Sequence, residues 1–219
     1  MRHEFLPQSF HHSNWGEAPK LDQAEPARLL PFLVKGFNIS MLTAENTLLL
    51  IVDVQGNLAR AVYESDRLFK NIAIMIQGAQ ILGLPILLTE QNPKGLGPTI
   101  TEIADYLKDV SPISKFSFSC CANERFMKSL KSFNPQHILI AGIEAHICVY
   151  QTARDLVNLE YEVQIISDAV SSRTLDNKHI GVEKSKLAGA GITSVETVLF
   201  ELLKDAQRKE FKEILNIVK

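Results

Sequence analysis

Leu48-Leu49-Leu50-Ile51-Val52-Asp53-Val54-Gln55 is the stretch whose reading decides the fold of this chain. Five aliphatic residues in a row, with nothing polar alternating between them, suit a strand covered on both faces, and such strands belong to parallel sheets packed between helices. Similar runs recur downstream, at Pro85 to Thr89, His137 to Ala141, Glu162 to Ser167 and, more briefly, Ile192 to Ser194. Between them the apolar residues change period. Leu68, Ile72, Met75, Ala79 and Leu82 fall at three- and four-residue spacing, as do Ile100, Ile103 and Leu107, and Val195, Val198, Leu199 and Leu202. This is the spacing of helices with one apolar face. Asn123, Asp66 and Ser194 are placed to cap helix starts, and Gly83 and Gly189 to end helices. Strands alternating with helices, joined by right-handed crossovers, predict a three-layer α/β fold: a doubly wound, mostly parallel sheet with helices on both faces. Ligands of such sheets bind outside the carboxyl ends of the strands.

Composition bounds the rest. A chain of 219 residues can bury roughly 70% of its unfolded surface, and 46% hydrophobic with 22% charged residues is ordinary globular usage. A net charge of −2 gives no footprint for nucleic acid or an anionic membrane, so a small-molecule substrate is expected. No apolar run approaches the ~18 residues needed to span a bilayer. Three cysteines, two of them adjacent at Cys120 and Cys121, make no disulfide framework, and nothing at the N-terminus has the layout of a signal peptide. The expected location is cytoplasmic. Residues 1–42 read as an N-terminal extension, poorly ordered or non-native, because Pro7, Pro19, Pro26 and Pro31 interrupt any periodicity. Residues 43–219 read as the folded domain. The extension's mixture of acids and bases disfavours a transit peptide, and Met41, just ahead of the first strand, is a candidate natural start.

Three residues stand out as chemistry. Asp53 closes the first strand at the functional edge of the sheet, where a carboxylate serves either as a helix cap or as a general base. Cys148 lies in Ala141-Gly142-Ile143-Glu144-Ala145-His146-Ile147-Cys148-Val149-Tyr150, between a strand and the helix expected over residues 151–158. A thiol at a helix start is expected to have a lowered pKa, with backbone amides nearby for an oxyanion; a free cysteine is otherwise a small buried apolar group. Cys120 and Cys121 read as the latter. Lys115, in Pro112-Ile113-Ser114-Lys115-Phe116-Ser117-Phe118, would alone be a surface charge. Beside a carboxylate and a thiol it can hold a thiolate and polarise a substrate. The histidines are scattered and no paired-His or CxxC spacing occurs, so no metal site is expected. Gly95-Leu96-Gly97 lacks the pattern of a phosphate loop and reads as a turn over the site, so no cofactor is expected either.

Taken together, the strand ending in Asp53-Val54-Gln55, the central Lys115 and the Gly-Ile-Glu-Ala-His-Ile-Cys-Val turn resemble the isochorismatase-like cysteine hydrolases over about Thr43 to Lys219. Thr89 to Gly97, Ser167 to Arg173 and Phe211 to Lys219 are similar to the isochorismatase-domain-containing proteins of animals and their microbial relatives. The resemblance implies a catalytic triad of Asp53, Lys115 and Cys148, in which Asp53 takes the thiol proton and Cys148 forms a covalent thioester-type intermediate. It also implies a cis peptide between Ile143 and Glu144, aiming the backbone N–H groups of Glu144 and Cys148 into an oxyanion hole. A homo-oligomer is expected on the same ground. Gln55, Gln91, Phe116, Phe118 and Tyr150 are candidate pocket residues by their nearness to the motifs.

Two departures narrow the substrate. Nicotinamidases carry an Asp-x-His metal group where this chain has Thr89-Glu90-Gln91, and true isochorismatases often lack the cysteine. The expected function is therefore hydrolysis of a small amide or related C–N bond. The alternatives are an isochorismatase-type vinyl ether hydrolase, in which Asp53 carries the chemistry, and a catalytically silent oligomeric binding protein.

Overall fold

The computed structural model describes residues 41–219, so all but the last two residues of the expected extension lie outside the described residues. Six strands form one sheet: β1 (Thr47–Val52), β2 (Ile86–Gln91), β3 (Ile113–Lys115), β4 (His137–Ile143), β5 (Glu162–Ser171) and β6 (Gly191–Thr193). Their order is β3-β2-β1-β4-β5-β6, and every neighbouring pair is parallel. The winding reverses between β1 and β4, which leaves a crevice outside their carboxyl ends.

The unbroken aliphatic run of β1 follows from this layering. Leu49 and Ile51 enter one core with α2 (Ser65–Leu82), α4 (Thr101–Ala104), α8 (Val195–Leu203) and α9 (Phe211–Val218). Leu48, Leu50 and Val52 enter the other, with Phe126 and Leu130 of α5 (Glu124–Phe133) and Ala153 and Leu156 of α6 (Tyr150–Asn158). All six residues of β1 are buried, and each fully buried Leu, Ile or Val contributes about 1.5–3 kcal/mol. Leu42 also lies in the first core. Among the described residues, no helix is long and apolar enough to cross a membrane.

The three-layer doubly wound expectation is met, and the sheet is parallel throughout. Strand ends differ. β2 continues to Gln91, two residues past the expected Thr89, and β5 to Ser171, while β3 was not foreseen. Of the periodic stretch Ile100 to Leu107, only Thr101–Ala104 is regular α-helix. Asn123 and Ser194 cap as expected, accepting from the N–H of Phe126 at 3.0 Å and Thr197 at 3.2 Å. Asp66 instead lies in the first turn of α2, preceded by Glu64 at φ 50°. Gly83 ends α2 at φ 78°, and Gly189 follows α7 (Leu175–Leu187) at φ 102°. The remaining short helices are α1 (Gly56–Arg60) and α3 (Pro93–Leu96).

Candidate active site

The carboxyl ends of β1, β3 and β4 carry the three expected residues to one edge of the sheet. Asp53 follows β1 at φ 55°, a left-handed conformation that costs a non-glycine residue on the order of 1 kcal/mol or more. Its backbone N–H donates to Thr89 O at 3.2 Å, so the carboxylate turns inward where the strand ends. Lys115, the last residue of β3, is 1% exposed. Its ammonium donates to Asp53 Oδ2 at 2.6 Å, to Gln91 Oε1 at 2.8 Å, and to the carbonyl oxygens of Ser117 and Phe118 at 3.2 and 3.3 Å. Thr89 Oγ1 donates to the other carboxylate oxygen, Oδ1, at 2.8 Å. Burial alone would pull the Lys115 pKa down; the Asp53 charge, aided by the neighbouring sulfurs, outweighs it, and the net shift is upward. Lys115 is thus a cation locked in place.

Cys148 completes the group, lining the same cavity as Asp53 and close enough for the Asp53 and Lys115 charges to act on its thiol. It sits in a wide π turn, Ala145–Val149, closed by the N–H of Tyr150 donating to Ala145 O. The lowered thiol pKa expected of a helix start is not found. Burial pushes the thiol well up, and the adjacent Asp53 charge adds to the effect. The resting group is therefore a neutral thiol against a carboxylate and an ammonium. Cys120, fully buried, has its pKa pushed to about 11 by burial and lies 3.8 Å from Thr89 Oγ1. It packs beside the site, consistent with its reading as a small apolar group.

The turn that carries Cys148 is shaped by two glycines. At Gly142, φ is 135°, and a Cβ would sit 2.1 Å from Val52 O, so only glycine lets β4 pass β1 at this point. At Gly181 of α7, a Cβ would meet the Ala145 carbonyl carbon at 2.3 Å, so α7 presses directly on the turn. The expected cis bond is not found: Ile143–Glu144 is trans, as are all described peptides. The change of direction is taken up by Gly142 and by Glu144 at φ −43°, ψ 106°. Glu144 is 5% exposed and accepts from Arg173 Nε at 2.9 Å through Oε1. His146 Nδ1 lies 3.2 Å from Glu144 Oε2 but is aligned on Ser172 Oγ at 3.0 Å.

A cavity opens over Cys148, lined also by Asp53, Gln91, Phe118, Glu144 and Arg173, with Leu58, Leu96, Ile143 and Ile147 as apolar wall. Of the candidate pocket residues, Gln91 and Phe118 line this cavity. Three others do not. Gln55 is fully buried and consumed by backbone: Oε1 accepts from Gln91 N at 2.6 Å, and Nε2 donates to Gln91 O at 3.2 Å and to Gly97 O at 2.6 Å. It fastens the loop that carries Leu96. Phe116 points to solvent, 78% exposed, and is not a wall of the cavity. Tyr150 turns away to stack beneath Lys184 and Arg154, with ring-centre distances of 4.8 and 5.8 Å. Arg173, Glu144 as a side chain, and the support from Thr89 escaped the sequence reading. Their only signal was their place inside the Thr89 to Gly97, Ala141 to Tyr150 and Ser167 to Arg173 stretches. Among the described residues, no group of three or more His, Cys, Asp or Glu is placed to hold a metal ion.

An all-parallel sheet in this order, with a polar constellation in the switch-point crevice, places the protein among α/β enzymes of the hydrolase kind. The isochorismatase domain model matches residues 47–197, and the chain belongs to that family. It is 36% identical over 181 residues to isochorismatase domain-containing protein 2 of Danio rerio, covering 82% of this chain and 90% of that protein. Among solved structures, MAR1 ribonuclease from Caenorhabditis elegans superposes with a TM-score of 0.77 at 30% identity, covering 82% of this chain and 92% of that one. YcaC from Pseudomonas aeruginosa, solved with covalent acrylamide, matches the fold at 0.77 and 23% identity, over 83% and 93% of the two chains.

Proposed function

We propose that the protein is a cysteine hydrolase of a small amide or related C–N bond, with Cys148 as nucleophile, Asp53 as proton carrier and Lys115 as fixed cation. The observation that carries this reading is the shared cavity lined by the Cys148 thiol and by the Asp53 carboxylate, which Lys115 grips at 2.6 Å. The thiol gives its proton to Asp53 as sulfur attacks the carbonyl carbon, so a thiolate need exist only with substrate present. The carbonyl oxygen gains the charge and is held by the backbone N–H groups of Glu144 and Cys148. Collapse breaks the C–N bond, with Asp53 returning the proton to the leaving nitrogen, and leaves a thioester. Water then gives its proton to Asp53 as it attacks the thioester, and acid and thiol are released. Arg173 supplies the cavity's positive charge; Glu144 takes its Nε, and its terminal N–H groups suit a substrate with a carbonyl or carboxylate beside the scissile bond.

No cofactor enters this scheme. A cytoplasmic homo-oligomer is part of the same reading, supported by exposed apolar side chains such as Phe116 and Leu187, at 78% and 86% exposure. A panel of small amides, a vinyl ether and an RNA oligomer, with ammonia and product detection, tests it. The expected result is ammonia release from an amide by the native protein and none from Cys148→Ala. Undiminished Cys148→Ala activity on the vinyl ether would move the chemistry to Asp53, and RNA cleavage would reject a small-molecule substrate.

A further inference from the structure

A second cleft is walled by Tyr63, Glu64, Arg67, Asp168 and Ser171, beside β5, and by Lys178. It exists because β5 is irregular: Ile165 pairs with Ile140 and Val170 with Gly142, so the four residues Ile166 to Ala169 stand opposite the single Ala141. Bulges of this kind re-aim side chains and gather at functional places. This one is pinned from both sides, Asn71 Nδ2 of α2 donating to Asp168 O at 2.7 Å and Val195 N of α8 donating to Asp168 Oδ1 at 2.9 Å.

The charges in the cleft are unequally satisfied. Arg67 pairs with Glu64 at 3.3 Å, and Asp168 is held by the start of α8. Lys178, on α7, is half-buried and makes no ion pair within 4 Å among the described residues; burial pulls its pKa down despite the more distant Glu64 and Asp168. An ammonium that has lost part of its water without gaining a partner is a site for an anion. With two carboxylates close by, a single negative charge is favoured over a double one.

Two connections lead from this cleft to the catalytic turn. Lys178 and Gly181 are three residues apart on one face of α7, and Gly181 is the residue pressed against Ala145. Tyr63 is clamped to the end of β5, its N–H donating to Ser172 O at 2.8 Å and its carbonyl accepting from Ser171 Oγ at 2.7 Å. Ser172 in turn holds His146, and Arg173 holds Glu144.

We propose that this cleft binds a small monocarboxylate on Lys178, and that its occupancy is felt at Cys148 through α7 and the Ser171 to Arg173 segment. The test is titration of the full-length protein with acetate and, separately, with inorganic phosphate, followed by amide NMR shifts and by the rate at which iodoacetamide labels Cys148, read from its peptide mass. Acetate should shift residues 63–68 and 167–178 saturably. It should change Cys148 labelling at least twofold and lose affinity tenfold or more in Lys178→Gln, with Lys178→Arg retaining most of it. Failure to saturate, shifts confined to the catalytic cavity, or unchanged binding by Lys178→Gln would overturn the site. Tighter binding of phosphate than acetate would overturn the monoanion assignment, and binding without any change in labelling would overturn the coupling. None of these readouts needs a substrate, so they stand apart from the hydrolase reading.

Discussion

β1 and β4 lie side by side in the sheet, and each leaves it through a residue with positive φ, yet they use opposite residues to do so. β4 uses Gly142, at φ 135°, because a side chain there would collide with the Val52 carbonyl. β1 uses Asp53, at φ 55°, where no glycine-like economy is taken and the conformation is held by surrounding bonds. The first break is steric: it sets how closely two strands approach. The second is chemical, since a carboxylate kept in a strained place is what the crevice needs. One strand end builds the wall and the other furnishes it.

The largest effect expected from disturbing this pair is at Gly142. Gly142→Ala forces a Cβ into backbone at a φ that L residues rarely adopt, and it should lower stability by more than about 4 kcal/mol or prevent folding. Urea denaturation checks this, and a loss below ~1 kcal/mol would mean the strands relax freely. Asp53→Asn comes next. It keeps the shape but leaves the buried Lys115 ammonium unpaired, so a loss of about 3–5 kcal/mol is expected together with loss of turnover. Adding Lys115→Met should return most of the stability and none of the activity, which separates the two roles of Asp53.

Thr89→Val should cost less, about 1–3 kcal/mol, because it removes the donor to Asp53 Oδ1. Thr89→Ser should recover both stability and turnover. The smallest effect is electrostatic. The Cys120 thiol, with its pKa pushed to about 11 by burial, and Cys148, shifted the same way, favour the neutral form in the folded state. The unfolded chain holds fewer protons above its ordinary thiol pKa, near 8.5, so stability is fully present below that pH and is lost as pH rises toward 11. Cys120→Ala should flatten the alkaline limb of a stability profile.

The same contrast explains what the sequence allowed one to read. β1 and β4 were legible because burial on both faces demands continuous aliphatic residues, and Asp53 and Cys148 because they adjoin those runs. β3 was not, being three residues, Ile113–Lys115, with an exposed Ser114 at its centre. The burial of Lys115 depends on Asp53, 62 positions away, and leaves no local trace. Gln55 looked like a substrate contact because it sits two residues from Asp53. Its amide is spent on the backbone of residues 91 and 97, a matter of loop closure that spacing does not reveal. The raised thiol pKa depends on how deeply the turn is buried, with α7 pressed against it. Local sequence is silent on that depth.

The most direct test of the account is the intact mass of the protein quenched in acid during turnover of an active amide. An added acyl mass on the peptide carrying Cys148, absent in Cys148→Ala and accumulating when water attack is slowed, is the predicted result. Continued turnover with no adduct on Cys148 would contradict it.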